Sequence, residues 1–136
     1  MALNYILFKE VGPMKILRMY PETLDATTDY NLTTNPQCEK MREVVSQTLP
    51  VVAIALLEEY AIDNDNGGTG EIVTFARVMT DDVTCYGTSS KSFIRSLTSA
   101  WDFADRRGIT IKALKITQGR SRAGRDYMMC EPIYSE

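Results

Sequence analysis

One stretch of the chain carries a complete helical signature and sets the frame for everything around it. Phe93, Ile94, Leu97, Trp101 and Ala104 recur at i, i+1, i+4, i+8 and i+11, a single apolar stripe along a helix. Ser89 or Ser90 can cap its start by accepting a hydrogen bond from a first-turn amide. Arg106 and Arg107 suit the negative end of the helix dipole, and Gly108 supplies the left-handed residue that stops it. The neighbouring apolar runs are shorter and richer in β-formers: 71–79, 83–86, 109–117 and 127–133 read as strands. A chain with one strong helix among several strands is expected to be mainly β.

The rest of the chain is less sharply written. Residues 3–8 and 14–20 are short apolar-rich runs around Gly12-Pro13 and read as a hairpin. The Thr-, Asp- and Asn-rich stretch 21–36 reads as a loop, and 37–47 has weak helical spacing ended by Pro50. Residues 51–62 are ambiguous: Ala, Leu and Glu favour a helix, Val51, Val52 and Ile54 a buried strand, and periodicity does not separate them. Asp63 to Gly70 is a turn. If 51–62 is a strand, the order is three strands, a helix and two strands. That is the order of an OB-fold, a five-stranded barrel with one helix between strands three and four. The expectation is therefore one domain of 136 residues. Residues 1–48 would be an N-terminal extension, with extra strands or a short helix, and 49–136 the barrel.

Composition narrows the chemistry. The chain has no histidine, which removes Ser-His and Cys-His nucleophile pairs and every histidine metal site. Cys38, Cys85 and Cys130 are too few for a four-thiolate zinc site and match no disulfide spacing, so reduced thiols in a cytoplasmic protein are expected. Gly119-x-x-x-x-Gly124 resembles a phosphate-binding loop, but Arg125-Asp126 stands where Lys-Ser/Thr is required and a strand follows it. The acidic pairs Glu58-Glu59 and Asp81-Asp82 read as solvated turn residues. No enzyme activity, metal or cofactor is expected. No secretory leader is visible, and the longest apolar run is far too short to span a membrane.

Charge is where the chain becomes specific. Its net charge is −3, yet residues 1–70 balance to −5 and residues 91–127 to +6. A ligand feels the local field, screened within about 8 Å, so the basic segment outweighs the total. Its centre is the predicted hairpin 112–129, in which Lys112, Lys115, Arg120, Arg122 and Arg125 precede Asp126 without an intervening acid. Such cations suit phosphates, with Arg77 and Lys91 as further candidates. Unpaired bases also need flat rings to stack on, at about 1–3 kcal/mol per base. Tyr60, Phe75, Tyr86 and Tyr127 fall on the predicted strands, and a phase that buries Ile72, Ala76 and Val78 places Phe75 and Arg77 together on the outward face. Trp101, on the helix stripe, is expected in the core.

From Pro50 onward the chain resembles the small single-stranded-DNA-binding proteins of phages with protein-primed replication. The matching features are Val51-Val52 through Tyr60, Glu71-x-Val73-Thr74 before an acidic turn, a short strand ending in Tyr86, Ser90-Lys91, and Gln118-Gly-x-Ser-x-x-Gly124. The resemblance covers about 60% of the chain. It implies an OB-type barrel that coats displaced single strands without reading sequence, in the cytoplasm of the host cell. It also favours a strand at 51–62. Tyr60 and Tyr86 match tyrosines that stack on bases in that family; a third falls within 63–70, where this chain has none, leaving Phe75 or Tyr127 as substitutes. Single-stranded DNA is thus the expected partner, with residues 1–48 a candidate oligomerisation arm. The competing reading is a protein-interaction module, such as a phage-encoded inhibitor of a host protein or an assembly factor, working through the acidic first half. A duplex-DNA binder ranks lower, because no helix carries base-reading residues flanked by cations.

Overall fold

A computed structural model describes residues 14–35, 37–63 and 69–135, without the side chains at 60–63 and 69–70. The predicted strand at 3–8, its turn at Gly12-Pro13 and most of the 63–70 turn lie outside the described residues. In chain order the elements are β1 (Lys15–Tyr20), α1 (Ala26–Thr33), β2 (Glu39–Lys40), a 3-10 turn (Met41–Val44), β3 (Thr48–Asp63), β4 (Thr69–Thr80), β5 (Cys85–Thr88), α2 (Lys91–Arg107), β6 (Thr110–Arg120) and β7 (Asp126–Ser135). The fold is mainly β: one curled, mixed, seven-stranded sheet forming a half-barrel, with two helices. No helix among the described residues is long and apolar enough to cross a membrane.

β3 is the spine. It pairs with β4 along almost its whole length, while its other edge is shared: Thr48 to Pro50 meet β6, and Ile54 to Glu58 meet β1. Among the described residues the sheet path β2-β5-β4-β3-β6-β7 is open, with β2 and β7 at its ends. β2 pairs with β5 in parallel; every other pairing is antiparallel.

α2 follows its sequence signals. Ser90 Oγ accepts from the Phe93 amide, and Gly108 closes the helix at φ +66°. Phe93, Leu97, Trp101 and Ala104 enter the concave side of the sheet among Ile54, Leu56, Val78, Leu114 and Ile116. The same helix seals the free edge of β7. Ser92 Oγ donates to the Met128 carbonyl at 2.8 Å, the Cys130 amide donates to Ser96 Oγ at 3.0 Å, and Tyr134 donates to the Ala100 carbonyl at 2.8 Å. Two residues beyond Cys130 on that edge comes Pro132, which has no amide to leave unpaired.

The opposite face of β3 and β4 is covered by the N-terminal third, and here two sequence expectations are corrected. Residues 21–36 are not all loop: α1 forms from weak helix formers because Asp25 accepts from the Thr28 amide at 3.2 Å and buried Leu32 anchors it beside Ala53, Ala55 and Leu57. The weak helix expected over 37–47 is instead the short β2 and one 3-10 turn, which buries Met41 and Val44.

β1 is tied to α2 by Arg18, whose guanidinium contacts Asp102 at 2.7 Å and Asp105 at 2.6 Å and sits 4.1 Å above the Trp101 ring. Exposed ion pairs give about 0.2–1 kcal/mol each and the cation–π contact about the same. Arg18→Ala is expected to cost about 1–2 kcal/mol, read as a melting point lower by about 5 °C.

Candidate nucleic-acid interface

The β6–β7 hairpin holds the arginine turn by its register. Gly119 pairs with Tyr127 and Arg120 with Asp126. The turn closes through the Ser121 amide on the Arg125 carbonyl and the Gly124 amide on the Ser121 carbonyl, both 2.9 Å, with Gly124 at φ +79°. Arg120 Nε lies 3.2 Å from Asp126 Oδ1 in an exposed pair of little energetic weight. Arg122 and Arg125 are exposed and form no ion pair among the described residues.

Gly119 has a specific steric function. A Cβ built on it would lie 2.5 Å from Tyr127 Cζ and 2.8 Å from Cε2, so the tyrosine ring lies flat against a backbone that must be bare. The ring remains 37% exposed. The ring thus rests across its cross-strand glycine.

Beside that ring runs an open groove of about 510 Å³. Gln118, Asp126, Tyr127 and Met128 line it from the hairpin, Thr88 to Ser90 and Ser92 from the start of α2, and Arg42 and Val45 from the 3-10 turn. Tyr86 lies two residues before Thr88 on the same face of β5, half-buried against the α2 core. Lys91 is exposed at the first residue of α2. Tyr127, Arg120, Arg122, Arg125, Tyr86 and Lys91 are therefore grouped around one end of the sheet.

The remaining expected site residues are elsewhere. Ala76 and Val78 are buried as expected, but Ile72, expected in the core with them, is exposed near the start of β4. Phe75 and Arg77 do share the other face, but that face is covered, which corrects the expectation that they form an open binding surface. Phe75 packs into a second core, the cluster of Leu32, Ala53, Ala55, Leu57, Met79 and Cys85, and Arg77 donates to the carbonyls of Leu32 at 3.3 Å and Asn35 at 2.9 Å, capping the C-terminal end of α1. Lys115 is exposed on β6 opposite Glu131, and Lys112 is exposed nearer the far end of β6. The ladder sends Tyr60 and the arginine turn in opposite directions from the Thr48–Lys115 pair, so the backbone of Tyr60 is not beside the turn.

Of the groove's lining residues, sequence reasoning named only Tyr127 as a site residue; Arg42, the one cation among the others, fell in a stretch of weak helical spacing and gave no signal of its own. The Gly119–Tyr127 contact needed the cross-strand register, which the sequence does not state. A separate exposed ring, Phe103, lies at the other end of α2, with Arg106 at 5.2 Å, Arg107 at 6.0 Å and Tyr134 tilted against it at 5.4 Å. Comparison of the chain with models of protein families, with curated proteins and with solved structures found no match.

Proposed function

We propose that this chain is a non-catalytic single-strand nucleic-acid-binding protein that coats displaced DNA during replication of the phage type, in the host cytoplasm. In this reading β3 to β7 with α2 are an OB-type barrel, and residues 14–38 are an added layer on it. The observation that carries the reading is the Tyr127 ring, set over Gly119 on the wall of an open groove, with exposed Arg122 and Arg125 in the turn that leads to it. Bases stack on the ring and on Tyr86, while the arginines, with Lys91 and Arg42, follow the phosphates; both contributions are indifferent to sequence. Lys112 and Lys115 extend the basic track along β6.

Titration with oligo-dT at two salt concentrations tests this. The log of the affinity should fall by about 0.7 per phosphate contact for each log unit of salt. The paired substitution Arg122→Ala, Arg125→Ala should lower that slope by about 1.4, leaving the melting point in place. Absence of binding at low salt would end the reading. The exposed Phe103 patch favours a second one, a protein-interaction module; one stoichiometric protein partner whose capture is lost with Phe103→Ala, and no oligo-dT binding, would support it.

A further inference from the structure

Cysteine spacing predicts isolated thiols, yet the fold brings two of the three into contact. Cys38 precedes β2 and Cys85 opens β5; the parallel register pairs Glu39 with Tyr86, so residues 38 and 85 are the next step of that ladder. Their sulfurs lie 3.6 Å apart. The site is shaped around them: a Cβ on Gly87 would come 2.9 Å from Cys38 Sγ, so only glycine leaves the sulfur its place against β5. Cys38 is half-buried, while Cys85 is nearly buried but lines an open pocket of about 320 Å³ with Asn31, Asn35, Gln37 and Thr84. Small polar solutes reach Cys85 through it, and the half-buried Cys38 is partly open to solvent in its own right. Cys130 is remote from both, buried in the α2 core beside Ser96.

We propose that Cys38 and Cys85 are a redox pair that closes to an intramolecular disulfide on exposure to a peroxide. The Cys38 thiol ionises and its thiolate attacks one oxygen of hydrogen peroxide; the O–O bond breaks, the departing hydroxide takes up the proton that Cys38 released and leaves as water, and Cys38 becomes a sulfenic acid. The Cys85 sulfur then attacks the Cys38 sulfur, the S–O bond breaks, and the departing hydroxide takes the Cys85 proton. Two thiols lose two electrons and one peroxide becomes two waters. The assignment of roles follows from the surroundings. The hydrogen bond between the two sulfurs, with a contribution from the Arg77 guanidinium, draws the Cys38 thiol below its ordinary range, against the opposing effects of burial and Glu39. Cys85 is pushed the other way by the same contact and by burial. The more acidic, more exposed thiol is the attacking one.

The bond would fasten the two-residue β2 to β5 and lock the 14–38 layer over the second core, closing a loop between positions 47 apart in sequence. A cross-link of that span restricts the unfolded chain and should raise the melting point by about 10 °C.

The test uses the full reduced chain, treated with hydrogen peroxide, blocked with iodoacetamide and mapped by mass spectrometry. A monomer with a 38–85 cross-linked peptide, an alkylated Cys130 and a raised melting point supports the pair. Cys130→Ser should keep the cross-link, and Cys38→Ser should abolish it. Three alkylated thiols after peroxide, a cross-link through Cys130, or only disulfide-linked dimers would overturn it; none of these outcomes depends on nucleic-acid binding.

Discussion

Trp101→Ala should lose about 3–5 kcal/mol, the largest single effect on stability expected anywhere in this chain. Trp101 is 2% exposed and is the only tryptophan. It sits where two parts of the molecule meet: α2 itself, and β1 with Tyr20 edge-on at 6.0 Å and the Arg18 guanidinium over the ring's face. Truncation leaves a ring-sized void that α2 cannot fill. It also removes the ring beneath Arg18, while Tyr20, which accepts from the Ile111 amide at 2.9 Å, loses its edge contact. Against a total stability of about 5–15 kcal/mol this is about a fifth or more. The melting point read by circular dichroism should fall by on the order of 15 °C. Trp101→Phe keeps a ring in the site and should recover about half. A shift under about 3 °C for the alanine variant would mean the tryptophan does not join these elements.

Why α2 was legible and α1 was not comes down to which interactions make each helix. The α2 stripe, its serine cap and its glycine stop are all local, so they are written in consecutive residues. α1 contains Thr, Asp and Asn, and its C-terminal carbonyls are satisfied by Arg77, which is 42 positions from Asn35 and 45 from Leu32. No local reading contains that partner. The ambiguity at 51–62 has a related cause. Ile54 and Leu56 face the α2 core while Ala53, Ala55 and Leu57 face the 14–38 layer, so β3 is buried on both sides and loses the alternation that marks a strand. The same hidden layer explains Phe75 and Arg77: their shared face was readable from phase, its cover was not. At the candidate site, the arginines and Tyr127 are visible in the hairpin's residues, while Arg42 reaches the groove only through the tertiary fold.

Gly119→Ala is expected to weaken oligo-dT binding about tenfold, although the substitution adds one methyl group and removes nothing. The new Cβ would meet Cζ, the hydroxyl and Cε2 of Tyr127, all at the far end of a side chain that can rotate, so the ring is displaced and the strand stays. Tyr127→Ala should weaken binding by a similar factor, since one stacked base is worth about 1–3 kcal/mol. The decisive quantity is the coupling between them. If Gly119 acts only by seating the ring, the double variant binds no worse than either single one, an interaction energy near the full single effect. Independent contributions would multiply to about a hundredfold loss instead. Stability discriminates as well: alanine is less costly to order than glycine in an extended strand, so Gly119→Ala should leave the melting point within a few degrees. Unchanged affinity in both single variants would remove the tyrosine platform and leave the arginine turn as a solvated loop tip. An affinity loss that tracks a fall in melting point would assign Gly119 to the hairpin's folding and not to its grip on a base.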